Sequence, residues 1–122
     1  MRFLIVDDSK TMRSILSSFA TKHGCETVEA EDGIAACEVL EKDGNFDAIL
    51  IDWDMPRMTG IELLKIMRAN PSLNHIKAMM VTAQSNYDCV TEAIMAGADD
   101  YLMKPLNEDM FVDKLRLLGL VA

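Results

Sequence analysis

The sequence predicts an α/β fold, a doubly wound, five-stranded parallel sheet with five helices on its two faces. Three observations predict it. Short apolar runs alternate with stretches of helical periodicity, five times along the chain. Four of the runs have almost no polar alternation, as strands of a parallel sheet covered on both faces require. The length, 122 residues with half of them hydrophobic, suits one compact domain whose core needs no disulfide or metal staple.

The elements follow in order. Phe3 to Val6 reads as the first strand, and Met12, Ile15, Leu16 and Phe19 recur at helical spacing behind it. Glu26-Thr27-Val28-Glu29-Ala30 is more polar and alternating, which places it at a sheet edge. Ile34, Cys37 or Glu38, Val39 and Leu40 mark the second helix, and Ala48 to Ile51 the third strand. Ile61, Leu64 and Met67 mark the third helix, Ala78 to Val81 the fourth strand, and Val90, Ala93 and Ile94 the fourth helix. Tyr101 to Met103 is the fifth strand, and Phe111, Leu115 and Leu118 the fifth helix. Gly24 and Gly97 follow apolar stripes as helix stops, and Asn107 is an N-cap with Glu108 and Asp109 in the first turn. Strict βα alternation makes the sheet parallel. The whole of residues 1–122 is expected to be one domain, with no linker and no output domain after the fifth helix.

Composition excludes several classes. A formal net charge of −8 opposes non-specific binding to nucleic acid, which depends on neutralising phosphates with Lys and Arg. It favours solubility and a basic protein partner. Cys25, Cys37 and Cys89 are odd in number and widely spaced, matching neither a disulfide framework nor a zinc site. No apolar run approaches the ~20 residues of a membrane span. The N-terminus enters a strand at once and then turns acidic, unlike a signal peptide. The expectation is a cytoplasmic protein without membrane association.

The chemistry lies where the acids fall. Asp7 and Asp8 close the first strand, and Asp52 and Asp54 follow the third. Ligands of doubly wound sheets bind beyond the carboxyl ends of the strands, where the strand order reverses. In the order 2-1-3-4-5 that point lies between the first and third strands, so these acids converge. A single Asp after a strand is ordinarily a helix cap or a solvated loop residue. Acids at both strand ends repel one another, and burial adds to the cost. A hard divalent cation removes the conflict, and magnesium suits it because it takes few protein oxygens and shares phosphate oxygens. Thr82 ends the fourth strand and Lys104 the fifth, on the same rim. A hydroxyl and an ammonium beside an acid cluster can offset charge on a phosphoryl group in transfer, which needs mainly positioning and electrostatics.

Together these residues resemble a family. Val6-Asp7-Asp8-Ser9, Ile51-Asp52-Trp53-Asp54-Met55-Pro56 with Thr59-Gly60, Val81-Thr82-Ala83, Gly97-Ala98-Asp99-Asp100-Tyr101 and Lys104-Pro105 resemble, in order and across the whole chain, bacterial two-component response-regulator receivers. The 2-1-3-4-5 order of the flavodoxin-like receiver fold rests on this resemblance, the chemotaxis receivers being its known example. The resemblance implies that Asp52 is the phospho-acceptor, served by a sensor histidine kinase or a phosphotransfer protein. It implies a Mg2+ ion, with Mn2+ as substitute, held by Asp8 and Asp52, by Asp7 through water and by the backbone carbonyl of Asp54. Thr82 and Lys104 would contact the phosphoryl group, and the Lys104–Pro105 bond would be cis. Tyr101 would be the aromatic switch that follows Thr82. The fourth helix, fifth strand and fifth helix would form the face read by a downstream protein, with Met95, Tyr101 and Met103 as candidate contacts. Asp54 and Gln84 occupy positions that tune phosphoryl lifetime in the family. The chain would be a monomer and no enzyme beyond catalysing its own phosphotransfer and dephosphorylation.

Trp53 and the run from Met55 to Leu64 resemble the stand-alone chemotaxis type in particular. The alternatives are a stand-alone phosphorelay intermediate, a receiver that works without phosphorylation, and a haloacid-dehalogenase phosphatase. The phosphatase reading uses Asp52-Trp53-Asp54 as its motif but leaves Asp7 and Asp8 without a role. The ten methionines suit gap-filling in the core better than an adaptable binding face.

Overall fold

The computed structural model describes residues 1–83 and 87–120. Within them strand and helix alternate as β1 (Arg2–Val6), α1 (Lys10–Lys22), β2 (Glu26–Ala30), α2 (Gly33–Lys42), β3 (Ala48–Asp52) and α3 (Gly60–Arg68). A short 3-10 turn (Pro71–Leu73) then leads to β4 (Lys77–Thr82), α4 (Tyr87–Met95), β5 (Asp100–Met103) and α5 (Glu108–Leu117). The five strands form one parallel sheet in the order β2-β1-β3-β4-β5.

The pleat explains the unalternating runs. Successive side chains of a strand point to opposite faces, and here both faces are covered. Phe3, Ile5, Leu50, Met79, Val81 and Leu102 pack with Leu16 and Ala20 of α1 and with Phe111, Val112 and Leu115 of α5. Leu4, Val6, Ile49, Ile51, Ala78 and Met80 pack on the other side, with Ala36 and Leu40 of α2, the apolar face of α3 and Ala93 of α4. All five residues of β3 are buried, as its central place in the sheet dictates.

The edge position of β2 agrees with its polar pattern; only Ala30 of its five residues is buried. β5 takes the edge place that the order 2-1-3-4-5 gives it, but its burial departs from the expectation of a strand covered on both faces. It forms the opposite edge, and only Leu102 is fully buried, because no strand shields its outer side. Helix boundaries carry the chemistry the sequence announces. Gly24 and Gly97 adopt positive φ (80° and 110°) just beyond α1 and α4, a conformation open to glycine without a Cβ penalty. The Asn107 side chain accepts from the Met110 N–H, capping α5. Ile15, Ile34 and Ile94, counted in apolar stripes, are exposed. Among the described residues no helix is long and apolar enough to cross a membrane.

Candidate functional site

Strand register brings the acids together. Val6 of β1 pairs with Ile51 of β3, so the next residues, Asp7 and Asp52, emerge side by side at the carboxyl edge. Asp8 follows Asp7 and faces solvent, whereas Asp7 and Asp52 are 1% and 4% exposed. One carboxylate oxygen from each of Asp7, Asp8 and Asp52 lies within 4.8 Å of the other two.

Lys104 reaches this cluster from the loop after β5. Its ammonium donates to Asp52 Oδ1 at 3.1 Å and stands 3.9 Å from Asp7 Oδ2. The backbone N–H of Lys104 donates to the Thr82 carbonyl at 2.8 Å, which ties the loop to the end of β4. The Lys104–Pro105 peptide is cis. Thr82 itself is buried and pairs with Met103 in the β4–β5 ladder. Val81, its neighbour in the chain, pairs with Asp52, so Thr82 stands on the strand beside the central acid.

Burial dominates the electrostatics. It pushes the Asp52 carboxyl up to about 6, the hydrogen bond and charge of Lys104 pulling it back while the charges of Asp7 and Asp8 add to the rise. Asp7 is also raised, first by burial, with the Ser9 N–H and Lys104 opposing and Asp8 reinforcing. The two Asp7 oxygens are served unequally. Oδ1 accepts the Ser9 N–H at 2.8 Å, while Oδ2 is buried with no hydrogen-bond donor among the described residues. A buried carboxylate oxygen left without a donor is costly. Three convergent carboxylates, one with an unserved oxygen, form a hard-oxygen donor set that fits a magnesium ion. Receiver domains bind Mg2+ through an acidic pocket of this kind.

The floor of the site is built tightly. The Trp53 N–H donates to the Val81 carbonyl at 2.9 Å, and the Trp53 carbonyl accepts from Gly60 N–H at 3.2 Å. Gly60 opens α3 against the end of β3. A Cβ there would stand 2.4 Å from the Asp52 carbonyl oxygen and 2.8 Å from Met80 Cε, so the approach tolerates no side chain. Thr59 caps α3 in a reciprocal capping box, its hydroxyl accepting the Glu62 N–H at 3.2 Å and its own N–H donating to Glu62 Oε1 at 3.3 Å.

Of the residues singled out from sequence, Asp7, Asp8, Asp52 and Lys104 meet, and Thr82 stands on the adjoining strand end. Asp54 is an exposed residue of the β3–α3 loop. Gln84 lies outside the described residues. Tyr101 is not among the acids: on β5 it pairs with Met80 of β4, half-buried against the core, with the Lys114 ammonium 5.0 Å from its ring centre. Lys114 is held there by Asp100 Oδ1 at 2.8 Å. Met95 is 82% exposed at the end of α4, and Met103 is half-buried. Sequence reading gives no role to Asp32, Arg57 or Lys114 and meets Gly60 only within the Thr59-Gly60 motif. Thr59-x-x-Glu62 was a legible helix start, and Asp32 before Gly33 a legible cap; the contacts of Arg57 and Lys114 have no local signature.

Comparison with known proteins agrees with this geometry. The family model of the response regulator receiver domain matches residues 3–116. The chemotaxis protein CheY of Pseudomonas aeruginosa is 42% identical over 116 residues, spanning 94% of this chain and 93% of that protein. The chemotaxis protein CheY1 of Helicobacter pylori is 35% identical over 119 residues, spanning 97% and 96%. The chemotaxis response regulator CheY4 of Vibrio cholerae superposes with a TM-score of 0.90 at 31% identity, covering 96% of this chain and 97% of that one. With its sheet order, its acid cluster and its match over nearly the whole length, this chain belongs to the response-regulator receiver family, the signalling switches of two-component systems.

Proposed function

We propose that this protein accepts a phosphoryl group on Asp52 from a phosphohistidine of a sensor kinase or phosphotransfer protein, and signals through protein contacts thereafter. The observation that carries the reading is the buried Asp52 carboxylate, bonded to Lys104 and flanked by Asp7 and Asp8. An Asp52 oxygen attacks phosphorus, the phosphorus–nitrogen bond breaks, and the histidine nitrogen leaves with the bonding pair. In its ionised form Asp52 is the nucleophile. Lys104, bonded to Asp52, would pair with a phosphoryl oxygen once Asp52 becomes an acyl phosphate, and the Thr82 hydroxyl would donate to another. Asp7, Asp8, Asp52 and the Asp54 carbonyl would hold Mg2+, which supplies charge neutralisation for the transferring group.

The switch is read at α4, β5 and α5. Pairing of Lys104 and Thr82 with the phosphoryl group would draw on the strand ends that lead back to Tyr101. Moving such a switch from 1% to 99% active needs about 5.5 kcal/mol of preferential stabilisation, within reach of a dianion among these partners. The relatives named for chemotaxis, with Trp53 and the run that follows it, support a chemotaxis pathway as the setting. The protein acts as a cytoplasmic monomer. Incubation with acetyl phosphate and Mg2+, followed by intact-mass spectrometry, tests the chemistry. One added phosphoryl group that disappears in Asp52→Asn and on chelation of the metal is expected. Unchanged labelling of Asp52→Asn would refute the assignment.

A further inference from the structure

The β3–α3 loop, residues 53–59, is pinned at both ends by Trp53, Thr59 and Gly60, and it carries the Asp54 carbonyl. Its middle is held differently. The Met58 N–H donates to the Pro56 carbonyl at 2.7 Å, closing a three-residue turn around Arg57. Arg57 has φ of 67°, and among the described residues it alone, other than glycine, has a positive φ. A γ-turn of this hand is rare and strained, and an arginine has no intrinsic preference for it. Glycine would adopt it freely, so an arginine here needs a compensating contact from its side chain.

That partner is Asp32. Arg57 Nη2 donates to Asp32 Oδ2, while Asp32 Oδ1 accepts the Ala35 N–H at 2.8 Å and caps α2. The Asp32 carboxylate is buried, with 5% of its side chain exposed, although the Arg57 side chain is 59% exposed. Met58 lies against the start of α2, where a Cβ on Gly33 would come within 2.7 Å of its sulfur. In the sheet β1 lies between β2 and β3. The pair therefore ties together the loops on either side of the strand that leads into Asp7 and Asp8.

We propose that Arg57 is a positioning residue for the acid site: its bond to Asp32 straps the β3–α3 loop to α2 and holds the Asp52–Asp54 segment ready to bind a divalent cation. The inference rests on the proposed metal site and adds a residue that touches neither metal nor phosphoryl group. A bond that preorganises such a segment stabilises the loaded form, and loss of supporting partners of this kind typically weakens metal binding about tenfold or more.

Trp53, the single tryptophan, is next to Asp52 and gives the readout. Mg2+ is titrated into the full-length wild type, Arg57→Gly and Arg57→Asn while tryptophan emission is followed, with thermal unfolding measured alongside in chelator. Both replacements suit a positive φ and lack the bond to Asp32. The expected result is about a tenfold weaker Mg2+ affinity in both. In Arg57→Gly the unfolding midpoint should stay close to wild type, since relief of the turn offsets the lost ion pair. A wild type that binds Mg2+, with both variants within about twofold of it, would overturn the role of Arg57 alone. A wild type whose emission ignores Mg2+, or responds equally in Asp8→Asn, would overturn the metal site and the strap with it.

Discussion

Asp52→Asn should make the metal-free protein more stable at neutral pH, by an amount that depends on pH in a defined direction. The folded-state Asp52 carboxyl is raised from 3.8 to about 6, chiefly by burial. A raised carboxyl favours the fold only while protonated. Its contribution is fully present below about 3.8 and is lost as pH rises through about 6. At ~1.4 kcal/mol per pH unit, the ionised group costs about 3 kcal/mol above that window. Asparagine removes the charge, and the opposing pull of Lys104 is already contained in that shift. The net stabilisation expected near pH 8 is therefore about 3 kcal/mol, shrinking towards zero near pH 4. Urea unfolding of both proteins in chelator, at about pH 4.5 and about pH 8, measures it. Adding Mg2+ at the higher pH should restore the wild type and leave the variant nearly unmoved. A difference between the two proteins that stays constant across this range would refute the electrostatic account of the site.

Four further outcomes follow from the geometry. Lys104→Met removes the cation 3.1 Å from Asp52 and should slow labelling by acetyl phosphate about a hundredfold, measured as the initial rate of mass increase. Gly60→Ala places a Cβ against the Asp52 carbonyl and should cost about 2 kcal/mol in urea unfolding while also lowering the labelling rate. Arg68→Ala should cost about 3 kcal/mol, because its guanidinium bonds the carbonyls of Gly97, Leu73 and Ile76 and the Asp99 carboxylate; labelling, remote from it, should keep its rate. Asp54→Asn, which removes an exposed carboxylate from the loop after Asp52, should change the decay of the phosphorylated protein; equal decay in the two proteins would remove Asp54 from the proposed chemistry.

The parts of this protein legible in its sequence share a physical origin. β1 and β3 announce themselves because both faces of a central parallel strand are buried, so Phe3–Val6 and Ala48–Ile51 leave no room for polar residues. Asp7 and Asp52 stand out because burial at a strand end is a poor place for a carboxylate unless chemistry requires it. The rest depends on distance in space rather than order in sequence. Helical periodicity finds the apolar face of α1 but not how far the sheet covers it, which is why Ile15 stays exposed while Leu16 is buried. The β5 run looks as apolar as a central strand, and only the strand order reveals it as an edge. Arg57 meets an acid 25 residues away, and Lys114 lies over a ring 13 residues before it, pairings that no local pattern records.

The central claim is that the Asp52 carboxylate receives phosphorus beside a cation held by its neighbours. Crystals grown with Mg2+ and beryllofluoride, which stands in for the phosphoryl group, test it most directly. The account predicts beryllium bonded to an Asp52 oxygen, the metal among Asp7, Asp8 and Asp52, and the Lys104 ammonium on a fluoride. Beryllofluoride bound elsewhere, or a metal that leaves these carboxylates untouched, would contradict it.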